Sequence, residues 1–461
     1  MKNKFIKQYV TIGLIALAII STDGLSLLLT SYLKSRKIYR PNILFITVDS
    51  LRVDHLSCYG YKRNTSPNID KLSRKGVMFT QAISASSSTI SSMPSIMTSA
   101  YPDVHGIWEF GNLLDPRIIS LEGMLKENNF FTGIISAQLF PYLISRENFI
   151  STKIKLDEKA DKITDWAIKR INRIKKKRFF LWLHYFDAHG PYNPPFPYDE
   201  MYLKDKFYKK GIEVPLLNRR RGGFGGIPGY QAQNGIKDKN YYIAKYDGEI
   251  RFIDSQIGRL VNALEEAGLL YKTAIIITAD HGESLGEHDY YFDHGAYLYD
   301  NLIKVPLIIY YNFPKPFNKI VNQQVSLVDI LPTILDIVKI KLPGQAKFEG
   351  VSLMPLISKG KGYRTAYVFS EYFEDGCQKF AIRGNGWKLL YDRKTEQYEL
   401  YNLKDDPGEL KDLFSVESEE VKNLMRALDS FLKRTIRETK RTKIELNEQD
   451  KEKLKSLGYL N

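Results

Sequence analysis

Cysteine is nearly absent: Cys58 and Cys377 are the only two in the chain, so no disulfide framework holds the fold together. An extracytoplasmic location stays open, because a chain of this size buries enough apolar surface to fold without covalent staples. Internal repeats are lacking too, and the basic residues lack the pattern of a nucleic-acid surface. Their excess is clear, with Lys+Arg 67 against Asp+Glu 53 and a formal net charge of +14. They fall in separate runs, Lys169–Arg178, Arg219–Arg221 and Lys433–Lys443, without the interleaved aromatic side chains that stack bases. Solvated helix faces and loops account for such runs, so no nucleic-acid partner is expected. Attraction to anionic lipid or glycan remains open.

What is present is ordinary globular material: 461 residues, 43% hydrophobic and 26% charged, enough for one large domain and a smaller one. The segment Tyr9–Leu33 is almost wholly apolar and lies between Lys2, Lys4, Lys7 and the following Lys34, Arg36, Lys37, Arg40. Its length suits one membrane-spanning helix of about 20 residues, although Asp23-Gly24 interrupts it. No small-x-small cleavage site closes its first half, so residues 1–40 read as an uncleaved anchor in preference to a removed signal. Basic residues flank both ends, and charge does not decide the orientation.

From Pro41 onward short apolar runs alternate with helical segments. Asn42–Thr47, Phe131–Ser136, Phe179–Tyr185, Ala274–Thr278 and Leu307–Tyr311 read as strands. Pro67–Lys75, Ile118–Asn128, Lys159–Lys176 and Tyr242–Ala267 read as helices. Such alternation predicts a doubly wound α/β sheet covered on both faces. Lys204–Asn240 is a polar, glycine-rich insertion, to be read either as a mobile loop or as a lid or anion-catching rim. After Leu356 the texture changes: Ala366–Phe369, Lys379–Arg383 and Trp387–Tyr391 read as short antiparallel strands, followed by a helix over Glu417–Lys433. The expected division is therefore 1–40, a catalytic α/β domain over 41–356, and a small α+β subdomain over 357–461.

Two stretches carry the chemistry, NILFITVDSLRVDHLSCYGY from Asn42 and TAIIITADHGESLGE from Thr273. Each is a β-branched run of the kind buried in a parallel sheet, closed by acid: Asp49 in one, Asp280 followed by His281 in the other. Open α/β sheets bind ligands at the carboxyl ends of their strands. Two such ends can converge on one divalent cation through oxygen and imidazole ligands. Taken singly, each carboxylate also fits a helix cap or a polar turn.

With these residues in view, the chain resembles the sulfatase family of the alkaline phosphatase superfamily from about Pro41 to its end. The likeness rests on those two stretches together with TSAYPDVHG, HYFDAHGPYNPP, LYDNLIKVPLII, VDILPTILDI and YELYNLKDDPGE, in that order along the chain. It implies an alkaline-phosphatase-like fold with a mixed sheet, and hydrolysis of sulfuric or phosphoric esters. It also implies one divalent metal ion, calcium first, with manganese or magnesium as alternatives. Family sulfatases carry a Cys or Ser, oxidised to formylglycine, nine residues before a Thr-Gly pair. The matching pair here is Thr98-Ser99, and counting back nine reaches Thr89. The alternative alignment, Ser92-Met93-Pro94-Ser95-Ile96, keeps the proline and serine of the motif but loses its spacing.

Threonine cannot become formylglycine, and either alignment replaces the motif arginine, by Met93 or Ile96. An ester on Thr89 has to leave by attack of water or another acceptor, the usual route of phosphoryl transfer. Other departures agree: Ser136-Ala137-Gln138-Leu139 stands where the family has Gly-Lys-x-His, Ser50 replaces a second aspartate, and His294 replaces a late lysine. The resemblance assigns Asp49, Thr89, Asp280 and His281 to the metal, and Thr89, His189 and His294 to catalysis. His184 reads as a satisfied core histidine, and His55, His105 and His288 as structural or supporting groups.

The expected partner is a sulfated or phosphorylated glycan, lipid or small-molecule ester, with the membrane reached through the N-terminal helix. The catalytic domain is expected to be membrane-anchored and extracytoplasmic. A transferase passing a phospho-alcohol or sulfo group to a lipid or glycan, and a non-catalytic binding protein on a sulfatase scaffold, are the competing readings.

Overall fold

The computed structural model describes residues 40–109, 111–137, 150–151, 158–219, 222–311, 317–342, 344, 347–363, 366–374, 376–415, 419–433, 442–443 and 448. The apolar Tyr9–Leu33, Gln138-Leu139, Arg221 and the stretch beyond Lys433 lie outside these apart from three positions. Among the described residues no helix is long and apolar enough to cross a membrane.

Eight strands form the central sheet. In chain order they are β1 (Asn42–Val48), β2 (Val77–Ile83), β3 (Phe131–Ser136), β4 (Ile150–Ser151), β5 (Phe179–Tyr185), β6 (Thr273–Ala279), β7 (Lys304–Tyr310) and β8 (Lys319–Ser326). Their spatial order is β8-β2-β7-β6-β1-β5-β3-β4. Every pairing is parallel except those of β7, which runs antiparallel to both β6 and β2. The sheet is therefore mixed. β1, β5 and β6 are buried at all positions, as β-branched and aromatic runs in a sheet covered on both faces must be.

The covering helices include α1 (Pro67–Lys75), α2 (Thr89–Thr98), α3 (Leu121–Glu127), α4 (Ala160–Ile174), α5 (Lys239–Glu266) and α6 (Ile330–Ile337). α4 shows how sequence makes such a helix: Ile163, Ala167, Ile171 and Ile174 recur at helical spacing on its buried face. α5 begins earlier than periodicity suggests, because the Asp238 carboxylate accepts from the Asn240 N–H and caps it.

Two long strands escape the sequence pattern, β2 and β8. β8 reads KIVNQQVS, and its exposed or half-exposed Asn322, Gln323 and Gln324 break the apolar run because it is an edge strand. Beyond it, β9 (Val368–Glu374), β10 (Cys377–Gly384), β11 (Trp387–Asp392) and β12 (Gln397–Asn402) form an antiparallel meander. Helix α7 (Glu419–Leu432) covers it with Val421, Leu424, Leu428 and Phe431. Residues 41–461 are one compact unit. A buried charge network ties the meander to the main sheet: Lys388 Nζ lies 3.1 Å from Asp300 and 2.7 Å from Glu409, and Arg383 lies 3.2 Å from Asp300.

Candidate active site

The register of β1 on β6 pairs Val48 with Ala279, so the next residue of each strand, Asp49 and Asp280, emerges side by side at the carboxyl edge. His281 follows, and one ligand atom from each of the three lies within 4.8 Å of the others. All three are fully buried. Ser50, at a left-handed φ of 57°, turns the chain away; its N–H donates to Asp280 at 3.3 Å and its hydroxyl to Asp49 at 2.9 Å.

Tautomer follows from hydrogen bonding. His281 Nδ1 lies 2.7 Å from the Gly282 carbonyl oxygen, which can only accept, so Nδ1 carries the proton of the neutral ring. Its Nε2 lone pair is thereby aimed at the carboxylates, 3.4 Å from Asp280 and 3.6 Å from Asp49.

Thr89 opens helix α2, and its hydroxyl enters this cluster, 3.0 Å from His281 Nε2 and 3.3 Å from Asp49 Oδ2. The N-terminus of a helix favours negative charge on such an oxygen. Ser92, one turn on, is buried with its hydroxyl lacking a hydrogen-bond partner and touches none of the three. α2 ends at Ser99, whose φ of 54° is one that glycine adopts without strain, and its hydroxyl donates to the Val328 carbonyl at 2.7 Å. This is the position where the resembling family has glycine.

The cluster fits a divalent cation. Asp280 Oδ2 is buried with no hydrogen-bond donor, and two carboxylates face each other with no lysine or arginine paired to either among the described residues. Burial, and then the charge of Asp49, push the Asp280 carboxyl up. Burial pushes the Asp49 carboxyl up as well, but the neighbouring imidazoles of His184, His189 and His281 outweigh it and hold Asp49 below the usual range. A hard cation with oxygen and imidazole ligands supplies the missing charge.

Two further imidazoles close the site. His294 packs on His281 and on His189, with ring centroids 4.4 Å and 4.8 Å away. Phe186 stacks on His189 from behind at 4.4 Å. Thus Asp49, Thr89, Asp280, His281, His189 and His294 are brought together. The insertion over 204–240 packs on the His294 segment: the Gly222 N–H donates to Asp293 at 2.8 Å and the Tyr230 hydroxyl to the Phe292 carbonyl at 2.9 Å. It is a rim of the site, not a detached loop.

Two residues were missed by reading the sequence alone. His184 is more than a core histidine, since its Nε2 lies 3.5 Å from Asp49 while its Nδ1 meets Thr47 at 2.8 Å. Only the register pairing Thr47 with His184 reveals this. Glu283 faces His294 Nδ1 at 3.3 Å and accepts from the Tyr192 hydroxyl at 3.1 Å, so it orients the imidazole. Its place three residues after Asp280 was the available signal. His55, by contrast, serves a structural knot, with Arg63 and Tyr61, around the buried Asp247. His105 bonds Ser95 at 3.0 Å, and burial drives its pKa down to about 3.

The His189 loop rests on two buried carboxyls. Asp187 accepts the Ala160 N–H at the start of α4 at 3.0 Å, and Glu249 accepts the Asn193 N–H at 2.8 Å. Burial raises Glu249 to about 8 and Asp187 to about 6. A raised carboxyl contributes stability in its protonated form, so that contribution is present below the unfolded value and is lost as pH rises through the folded one. Glu249→Gln is accordingly expected to match the parent at pH 5 and to be more stable at pH 9. The gain is on the order of 5 kcal/mol at about 1.4 kcal/mol per pKa unit, read by urea denaturation at both pH values. Parallel pH profiles for the two proteins would show that Glu249 titrates normally.

An open α/β sheet whose carboxyl edge gathers two carboxylates, imidazoles and a hydroxyl defines an alkaline-phosphatase-like ester hydrolase. More narrowly, residues 41–340 match the Sulfatase family, to which the chain belongs, and residues 286–438 match N-sulphoglucosamine sulphohydrolase, C-terminal. An arylsulfatase of Clostridium perfringens is 26% identical over 85% of this chain and 94% of its own length. An N-acetylglucosamine-6-O-sulfatase of Bacteroides thetaiotaomicron is 25% identical over 86% of both chains. Among solved structures, one in complex with its substrate D-glucosamine-2-N,6-O-disulfate aligns with a TM-score of 0.72 at 21% identity, covering 86% of this chain and 98% of its own. A phosphonate monoester hydrolase of Agrobacterium radiobacter aligns at 0.68 and 21%, covering 85% and 95%. At that identity these two structures establish the shared fold.

Proposed function

We propose that this sulfatase-family hydrolase cleaves sulfate esters or phosphate mono- or diesters with Thr89 as nucleophile. The observation that carries the reading is the Thr89 hydroxyl at the helix N-terminus, in contact with both Asp49 and His281. Asp49, Asp280 and His281, with Thr89 beside them, would hold the divalent ion, calcium before manganese or magnesium. When bound, that ion supplies positive charge that favours ionised Thr89 and neutralises the reacting group.

The remaining roles belong to the chain. Thr89 Oγ1, its proton released to solvent, attacks sulfur or phosphorus in line. The bond to the alcohol breaks with its electron pair on the leaving oxygen, which takes a proton from His189 or His294. Glu283 and the Gly190 carbonyl, which lies 2.7 Å from His189 Nδ1, hold those two rings in orientation. Water then attacks the same sulfur or phosphorus, one of its protons returns to the imidazole, and Thr89 is regenerated. This release needs no aldehyde, and it suits phosphoryl transfer as readily as sulfuryl transfer.

A panel of nitrophenyl sulfate, phosphate and phosphodiester with Ca, Mn or Mg tests the reading. Turnover of at least one ester that chelation abolishes is the expected result. Metal-loaded protein inert on all of them would overturn simple hydrolysis in favour of transfer to an acceptor. Sugar sulfate esters are the favoured natural class, because two of the four relatives named above, the N-acetylglucosamine-6-O-sulfatase and the protein bound to D-glucosamine-2-N,6-O-disulfate, carry such an ester in their names; the rim over 204–240 adds polar groups beside His294. We also infer that the chain is membrane-anchored, on the length of the apolar Tyr9–Leu33 run.

A further inference from the structure

The edge of the sheet opposite the site is as basic as the site is acidic. β1, β2, β3, β5 and β6 all run the same way, so their amino ends share one edge. Into that edge lead Arg74-Lys75 before β2, Lys175–Arg178 before β5 and Tyr271-Lys272 before β6, all exposed. Adjacency is direct: the Phe131 N–H donates to the Arg178 carbonyl at 2.8 Å, and Asn42 registers with Thr273. Glu127, Glu265 and Glu266 are exposed at the ends of α3 and α5, too few to balance these cations.

Cations at helix carboxyl ends are favoured by the helix dipole, and this explains Arg74 and Lys75 in the last turn of α1. It does not explain four consecutive cations after α4 has ended at Ile174. None of Lys175, Lys176, Lys177 or Arg178 is in an ion pair among the described residues; Arg178 instead lies over the Phe130 ring at 5.5 Å. Tyr271 is 51% exposed at the same edge. Unpaired lysines with an exposed tyrosine suit a membrane-interface surface.

Where the chain enters this edge names the partner. Asn42 opens β1 there, and only seven residues, Lys34 to Arg40, separate it and Pro41 from the apolar run. Seven residues reach no further than about 25 Å. We propose that the amino edge of the sheet is a docking face for an anionic phospholipid surface, a proposal that rests on the anchored reading above. β1 is seven residues long, so the Asp49–Asp280–His281 cluster lies roughly 23 Å from that edge and opens away from the bilayer. The substrate is then an ester borne in water or on a polymer, rather than one embedded in the same leaflet.

The test reconstitutes the full chain into vesicles of phosphatidylcholine alone or with phosphatidylglycerol, and reads amide hydrogen exchange over 72–76 and 172–179. Exchange at least threefold slower with phosphatidylglycerol, reversed by 0.5 M salt as charge screening demands, is expected. The triple variant Lys175→Glu/Lys176→Glu/Lys177→Glu should lose that protection while keeping nitrophenyl-ester turnover. Equal exchange in the two lipids overturns the proposal, as does protection by soluble heparin with none from vesicles. A chain that fails to insert into either lipid refutes the anchor and leaves the face testable by flotation. Binding to phosphatidylglycerol vesicles that the triple variant weakens by about 100-fold, near fivefold per lysine, then supports the docking face. No flotation refutes it.

Discussion

Thr89→Ala is expected to lower kcat by about 10³-fold or more on whichever ester the protein turns over, with little change in thermal stability. The hydroxyl bonds Asp49 and His281 and not the backbone of α2, so the loss is chemical. Thr89→Ser keeps an oxygen at the same place and is expected to retain measurable turnover. Ser92→Ala removes a hydroxyl with no hydrogen-bond partner and is expected to change the rate by less than about tenfold. Mass spectrometry of a quenched reaction should find the sulfo or phosphoryl adduct on the peptide holding Thr89. Full activity of Thr89→Ala, or an adduct on Ser92, would transfer the chemistry one helical turn along.

Asp280→Asn separates metal binding from folding, and its effects run in opposite directions. Without metal, two buried carboxylates confront one another and Asp280 Oδ2 lacks a donor. Neutralising one relieves that repulsion, so the metal-free variant is expected to be more stable than the parent by about 1–3 kcal/mol. With excess calcium the order reverses, because a bound ion stabilises the native state by about 2.7 kcal/mol at a hundredfold excess over its Kd, and the variant forfeits this. Turnover should fall by at least about 10³-fold. Thermal melts with chelator and with calcium, beside a metal titration, read all three effects. Identical melts of parent and variant in both conditions would mean that no ion is held there.

Much of the site was legible before folding. Asp49 and Asp280 each follow a fully buried β-branched strand, and a strand buried on both faces is recognisable from a local run of residues. Helices α1, α3, α4 and α5 were legible for the same reason, apolar residues at helical spacing, whereas α2 and α6 were not read as helices. β2 and β8 were not, because their partly exposed polar positions blur the strand pattern and only pairing with β7 and with each other makes them strands. Glu283 and His184 were overlooked because their importance comes from neighbours distant in sequence, His294 and Asp49.

The sequence alone determined the strand ends that carry acid and the family likeness, and it raised the expectation that an ordinary alcohol stands where the family has its formylglycine residue. These are local properties of residue type and spacing. Tertiary structure decided which alcohol meets the cluster: Thr89 and Ser92 differ by one helical turn, about 4.5 Å along the axis, and the packing of α2 against α3 and α6 selects the first. It decided, too, that charge is divided between the two edges of the sheet. Parallel strands align all their carboxyl ends on one side and all their amino ends on the other, a separation that no linear order of residues displays.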